Sequence, residues 1–267
     1  MQIPLESIAK EIRHLVVEMS KEGQAPHLGS SLSCVDLIVA AYYCFLRIDP
    51  KMPNDRLRDR FILSKGHAIT TLYAILAKKE FFPMEYLKTF NQDGGMLPEH
   101  PTPHCVPGVE VATGSLGHGL SIGVGQALAG RILNEAYRVM VLLSDGECNE
   151  GSVWEAALFA PARQLNNLIV IIDYNKWQAT GRSDEIMQLN PLKEKWASFG
   201  WQAHEIDGHN FEEILAVFSK VSDKPTANIA HTVKGKGVSF MEDDNNWHYR
   251  IPNVEELMKA KNEIGLV

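Results

Sequence analysis

Asp145 and Asn175 each stand just past an apolar run, in the segment LLSDGECNEGSVWEAALFAPARQLNNLIVIIDYNKWQ. A carboxylate oxygen and an amide oxygen are hard ligands suited to Mg²⁺, with phosphate oxygens and water completing the shell. Gly146 carries no side chain, so the backbone at the Asp145–Gly146 turn is open to close approach by a phosphate. A lone Asp-Gly pair is more often a plain turn at a strand end. Here Glu150 and Glu155 follow on the next segment, and Asn175 closes the second run. The chain holds ten histidines, each of a type that can handle a proton. Any one of them alone reads as a solvated or hydrogen-bonded side chain. The histidines are scattered without HxxxH spacing, so no zinc site is indicated.

The elements that must position these residues follow from periodicity. Apolar residues at three- and four-residue steps predict a helix over 7–19, stopped by Gly23. A Gly-, Pro- and Ser-rich stretch over 24–33 reads as a loop, with Ser33 as N-cap of a second helix over 35–46. A short strand over 60–63 and a helix over 69–79 come next. The stretch 94–108 holds Pro98, Pro101, Pro103 and Pro107 and reads as a long irregular loop, a kind more often functional than idle. The helix over 117–133 contains Gly123, Gly125, Ala127 and Ala129, which permit close packing. Apolar runs over 138–143 and 168–173 predict buried parallel strands. They are joined through a helix over 152–164 in a right-handed crossover. Strands over 201–206 and 227–232, a helix over 211–221 and a helical tail over 253–265 complete an α/β pattern. The expected fold is a mostly parallel central sheet with helices on both faces, in one domain over 1–267. In such a sheet the carboxyl ends of neighbouring strands share one edge, where ligands bind. Asp145 and Asn175 should therefore meet there.

A net charge of -7 argues against a nucleic-acid binder, which usually carries a basic patch. The cysteines, Cys34, Cys44, Cys105 and Cys148, form no CxxC pair. With no secretory segment, free thiols in a reducing cytoplasm are expected. No stretch reaches the roughly 18 apolar residues that span a bilayer, so no membrane partner is expected.

Taken together, the motifs resemble the N-terminal, diphosphate-binding half of transketolases. That family's cofactor signature opens with GDG and ends with an Asn after a second strand; here it runs from Ser144-Asp145-Gly146 to Asn175. The segment NDRLRDRFILSKGHAITTLYAIL is similar to the family's RDRF-LS-GH stretch, and TGSLGHG to its TG-LGQG loop. PHLGSSLS resembles GHPGGSLS, EHPTPHCVPGVE resembles the GHP…PGVE loop, and the end of TVKGKGVSFMEDDNNWHYR resembles W-H-G. The resemblance covers nearly the whole chain. It implies the thiamine diphosphate-binding fold, with thiamine diphosphate and Mg²⁺, or another divalent cation such as Ca²⁺ or Mn²⁺, as cofactors. It implies metal ligation by Asp145, Asn175 and the Trp177 carbonyl. Cofactor contacts are implied for His67, Gly114, Ser115, Leu116, Gly146, Glu147 and His248. His27, His67, His100 and His248 would serve the reaction, with His27 near the reacting ring. Glu150 and Glu155 either complement a helix dipole or, as the resemblance implies, lie where paired active sites connect. His14, His204, His209 and His231 match no family site position, and His104 and Cys105 sit in the loop after His100. Four family positions differ here: Pro26 and Ser144 stand for glycines, His118 for a glutamine, and Tyr249 for the glycine of W-H-G, where it would narrow the entrance.

The implied reaction moves a two-carbon ketol unit from a ketose or ketose phosphate to an aldose. The family also needs a glutamate from a pyrimidine-binding domain, and that domain and a C-terminal one are expected on a partner chain, in a heterotetramer. Two other readings remain open. One is a split carboligase or decarboxylase acting on an unusual sugar or 2-oxo acid; the other is a non-catalytic, cofactor-binding regulatory subunit.

Overall fold

The computed structural model describes residues 4–265 apart from residue 104, so His104 lies outside the described residues. Five strands form one sheet: β1 (Arg60–Leu63), β2 (Val139–Ser144), β3 (Leu168–Tyr174), β4 (Gln202–Asp207) and β5 (Thr226–His231). Their order is β1-β2-β3-β5-β4, and every neighbouring pair is parallel. Alternate side chains point to opposite faces of a strand. Met140, Leu142 and Ile171 accordingly enter one core, while Val139, Val141, Leu143, Val170 and Ile172 enter another. Burial on both faces explains why these strands read as continuous apolar runs.

The helices are α1 (Leu5–Glu22), α2 (Leu28–Ser33), α3 (Val35–Ala40), α4 (Ile69–Lys78), α5 (His118–Ile132), α6 (Gly151–Ala162), α7 (Ser183–Ile186), α8 (Leu192–Ser198), α9 (Phe211–Phe218) and α10 (Val254–Ile264). The first core gathers apolar faces of α1, α3, α4, α9 and α10, the second those of α5, α6 and α8. The small residues of α5 bring it tight against the sheet: a Cβ on Gly123 would lie 2.5 Å from Val141 Cγ2. Among the described residues no helix is long and apolar enough to cross a membrane.

Several expected boundaries move. Within the expected loop over 24–33, LGSSLS is a buried helix, α2, because burial outweighs weak local propensity. The expected helix over 35–46 stops as an α-helix at Ala40 and closes in a π turn, Ala41–Phe45, with Leu46 N–H donating to Ala41 O at 2.8 Å. Cys34, not Ser33, stands at its N-cap. The helix expected over 211–221 ends at Phe218. The helices α7 and α8 carry too few turns for periodicity to reveal them, although Trp196 of α8 is fully buried.

Candidate active site

Ser144 pairs with Asp173 in the β2–β3 register, and Asp145 N–H reaches Asp173 O at 3.3 Å. Asp145 and Asn175 therefore emerge from neighbouring strands at one edge of the sheet. The Asp145 side chain is fully buried. Its Oδ1 accepts Gly146 N–H at 3.0 Å, and its Oδ2 accepts Lys176 N–H at 2.9 Å and the Ser183 hydroxyl at 2.7 Å. Burial pushes this carboxyl up to about 7; the Ser183 bond opposes the shift and nearby Asp173 adds to it. Asn175 Oδ1 accepts Trp177 N–H at 3.0 Å. Trp177 opens a tight bridge to Arg182, closed by Gln178 N–H to Gly181 O at 2.9 Å and Ser183 N–H to Lys176 O at 3.1 Å. Among the described residues no group of three or more His, Cys, Asp or Glu is arranged to hold a metal ion. An ion at this edge would instead draw on one carboxylate, amide and carbonyl oxygens, and the ligand's own phosphates, a set suited to Mg²⁺.

A cleft of about 350 Å³ opens over this edge, within the size range of small-molecule sites. The four histidines singled out in the sequence come together in its wall. His27 is central: its ring centroid lies 5.2 Å from His67, 6.2 Å from His100 and 4.9 Å from His248. A left-handed backbone at His27 (φ 70°) and its N–H bond to His248 O at 2.7 Å fix it there. Burial, with His100, Lys234 and Lys65 adding to it, lowers the His27 imidazole to about 4. Burial and Lys234 lower His248 to about 3, and burial and Lys65 hold His67 well below the ordinary imidazole value. These rings are neutral near pH 7, each with one N–H to donate and one lone pair to accept.

Gly114 and Leu116 line the cleft and Ser115 faces solvent. Gly114 takes φ 133°, and a Cβ there would lie 2.7 Å from His100 Cδ2. Glu147 lies beneath the cleft, not in its wall. Its Oε1 accepts the Ser64 hydroxyl at 2.5 Å and Gly117 N–H at 3.0 Å, and its Oε2 accepts Ser144 N–H at 2.9 Å. It ties together the segments that carry Ser64, Gly117 and Ser144. Glu150 is exposed at the rim, and Glu155 points to solvent from α6, outside the lining. Ser144 suits its place, since its hydroxyl accepts Glu147 N–H at 3.3 Å. His118 is exposed, with Nδ1 3.3 Å from Leu116 O.

Three buried charged residues beneath and beside the cleft escaped the sequence reading: Lys65, Asp173 and Lys234. Lys65 pairs with Asp173, both wholly buried, and donates to Ser30 O at 2.9 Å. Asp173 also accepts the hydroxyls of Ser33, at 2.6 Å, and Thr232. Lys234 Nζ lies 2.7 Å from Asn245 Oδ1 and 3.0 Å from His248 Nδ1, and burial together with Lys65 lowers it to about 7. Each lysine follows the end of an expected strand, the one signal the sequence offers for them; lysines are so seldom buried that this signal is weak.

The cleft is short of partners in a way that fits a hydrogen-bonding ligand. His27 Nδ1, Asn149 Oδ1 and Gln178 Nε2, all from lining residues, are buried without a partner among the described residues. Buried polar atoms are nearly always paired in native proteins.

The family described as "Transketolase, thiamine diphosphate binding domain" matches residues 5–267. The chain is 40% identical over 264 residues to one of the subunits of the apulose-4-phosphate transketolase of Phocaeicola vulgatus, spanning 98% of this chain and 94% of that one. It is 42% identical over 262 residues to 6-deoxy-6-sulfo-D-fructose transketolase subunit SqwG of a Clostridium species, spanning 97% and 95%. Among solved structures, the transketolase of Campylobacter jejuni superposes with a TM-score of 0.93 at 30% identity over 99% of this chain. This chain spans only 43% of that transketolase's length.

Proposed function

Because the chain belongs to the transketolase family, through its thiamine diphosphate-binding domain, we propose that it is the diphosphate-binding half of a two-chain transketolase. The observation that carries this reading is the meeting of Asp145 and Asn175 at one sheet edge, beneath a cleft walled by four histidines.

Asp145, the Asn175 amide oxygen and the Trp177 carbonyl would hold Mg²⁺, or Ca²⁺ or Mn²⁺ in its place. Gly146 and the backbone of Gly114 to Leu116 would lie along the diphosphate, with His67 and His248 donating to its oxygens. When bound, thiamine diphosphate supplies the reactive carbon and electron sink for moving a two-carbon ketol unit. The chain's own residues bind, orient and move protons. His27 and His100 would hold substrate hydroxyls, and among the described residues His27 Nδ1 has no other partner to compete. A neutral imidazole held there can take a hydroxyl proton and return it. Glu147 would act indirectly, by fixing the loops that carry Gly117 and Ser144.

Relatives whose names make them single components of a larger transketolase match this chain almost end to end, which supports a partner chain. That partner would bring the pyrimidine-binding and C-terminal domains, in a heterotetramer of two pairs. Glu150 and Glu155, both exposed, would face the junction between paired sites. The substrates would be a ketose or ketose phosphate and an aldose. Two relatives of near-equal identity are named for different sugars, so identity alone does not select the substrate. A cytoplasmic location fits the four free cysteines.

The test is expression of the chain alone and with its partner, assayed over several ketose and 2-oxo-acid donors. Turnover of ketoses by the pair only, dependent on thiamine diphosphate and Mg²⁺, is expected. Robust ketol transfer by the chain alone would contradict the two-chain reading, and turnover of 2-oxo acids only would contradict ketol transfer. Cofactor binding without turnover alongside any partner would favour a regulatory role.

A further inference from the structure

Tyr249 is a large aromatic side chain left 62% exposed at the mouth of the cleft. It is part of a wall and not a loose surface residue. Its ring centroid lies 4.7 Å from His248 in an edge-on contact and 6.0 Å from His27. Its backbone is held by the 3₁₀ turn Asn245–His248, with Tyr249 N–H donating to Asn246 O at 3.3 Å. Trp247, 1% exposed, anchors that turn in the core. The neighbouring Arg250 lies over Trp247 at 4.7 Å and pairs with Glu256, so its cation is already engaged.

Tyrosine offers an apolar face and a polar tip. At a rim this combination suits the alternating C–H and O–H surface of a sugar. His27 and His67 pack against one another deeper in the wall, whereas Tyr249 faces solvent. We propose that Tyr249 is a specificity-determining residue that packs its ring against the sugar carbons beyond the reacting end. This rests on the transketolase reading above. A two-carbon aldehyde has almost no carbon chain beyond its carbonyl to offer the ring. A five- or six-carbon aldose carries further carbons and hydroxyls past the carbonyl and gains the contact, which tightens its binding.

The experiment uses the reconstituted pair with glycolaldehyde and with a five-carbon aldose phosphate as acceptors, for wild type, Tyr249→Gly and Tyr249→Phe. The ratio of kcat/KM for the long acceptor to that for the short one should fall about tenfold in Tyr249→Gly, mostly through KM. In Tyr249→Phe, which keeps the ring, it should fall less than about threefold. Thiamine diphosphate affinity, measured by calorimetry in the same proteins, should match wild type. An unchanged ratio in Tyr249→Gly, or an equal loss for both acceptors, would overturn the proposal. A wild-type pair that binds no thiamine diphosphate would overturn the functional reading itself, and this proposal with it.

Discussion

The carboxylate of Asp145 accepts the backbone N–H of Lys176 at 2.9 Å, fastening the end of β2 to the loop that leaves β3. The same oxygen accepts the Ser183 hydroxyl, so α7 is tied in as well. Replacing Ser183 with Ala removes a hydrogen bond to a buried carboxyl and leaves that acceptor short of a partner. We expect a loss of about 1.5–3 kcal/mol in urea unfolding and a several-fold weaker cofactor affinity. Unchanged affinity would mean that the loop keeps its place without that tie.

Beneath the cleft, Lys65 and Asp173 form a wholly buried ion pair. Burial alone would raise the Asp173 carboxyl, but Lys65, Ser33 and Thr232 together hold it below the usual carboxylate range. Lys65→Met leaves that charge without its cation. Breaking a buried pair from one side costs about 3–5 kcal/mol, which equilibrium unfolding would reveal. A loss under about 1 kcal/mol would show that the hydroxyls alone satisfy Asp173.

Gly114 combines a left-handed backbone, φ 133°, with a close approach to His100. Gly114→Ala puts a methyl group 2.7 Å from the ring. We expect His100 to be displaced, cofactor binding to weaken and stability to drop by about 1–3 kcal/mol. Calorimetric titration and thermal unfolding of the same variant would check both.

The depressed histidines set a pH dependence. An unfolded histidine titrates near 6.5, whereas His27 and His248 stay neutral in the folded chain down to about 4 and about 3. Between these values the unfolded chain holds more protons, so stability falls as pH drops from about 6.5 towards about 4. Above that window these two groups add no slope. The double variant His27→Asn/His248→Asn should flatten the dependence of the unfolding midpoint on pH between 6.5 and 4. An identical slope in the variant would assign it to other groups.

Much of this was legible from residues alone. Continuous apolar runs marked β2 and β3, and their parallel pairing brought Asp145 beside Asn175 without any further assumption. The four histidines could be gathered only through resemblance, because His27 and His248 meet across 221 residues of sequence by a contact no periodicity encodes. Lys65, Asp173 and Lys234 were missed because their burial depends on partners that only the fold brings together: Lys65 and Asp173 on each other, Lys234 on Asn245 and His248. Each charge is tolerable only with the partners that the fold supplies. The helix α2 was missed for a similar reason, since LGSSLS is polar in composition but wholly enclosed.

The most direct test titrates thiamine diphosphate into the chain with and without Mg²⁺, for wild type, Asp145→Ala and Asn175→Ala, following intrinsic tryptophan fluorescence. We expect Mg²⁺-dependent binding in wild type and its loss in both variants, each still folded by circular dichroism. Wild-type affinity that ignores Mg²⁺, or a folded Asp145→Ala protein that retains Mg²⁺-dependent binding, would contradict the joint grip of these two side chains on the cation.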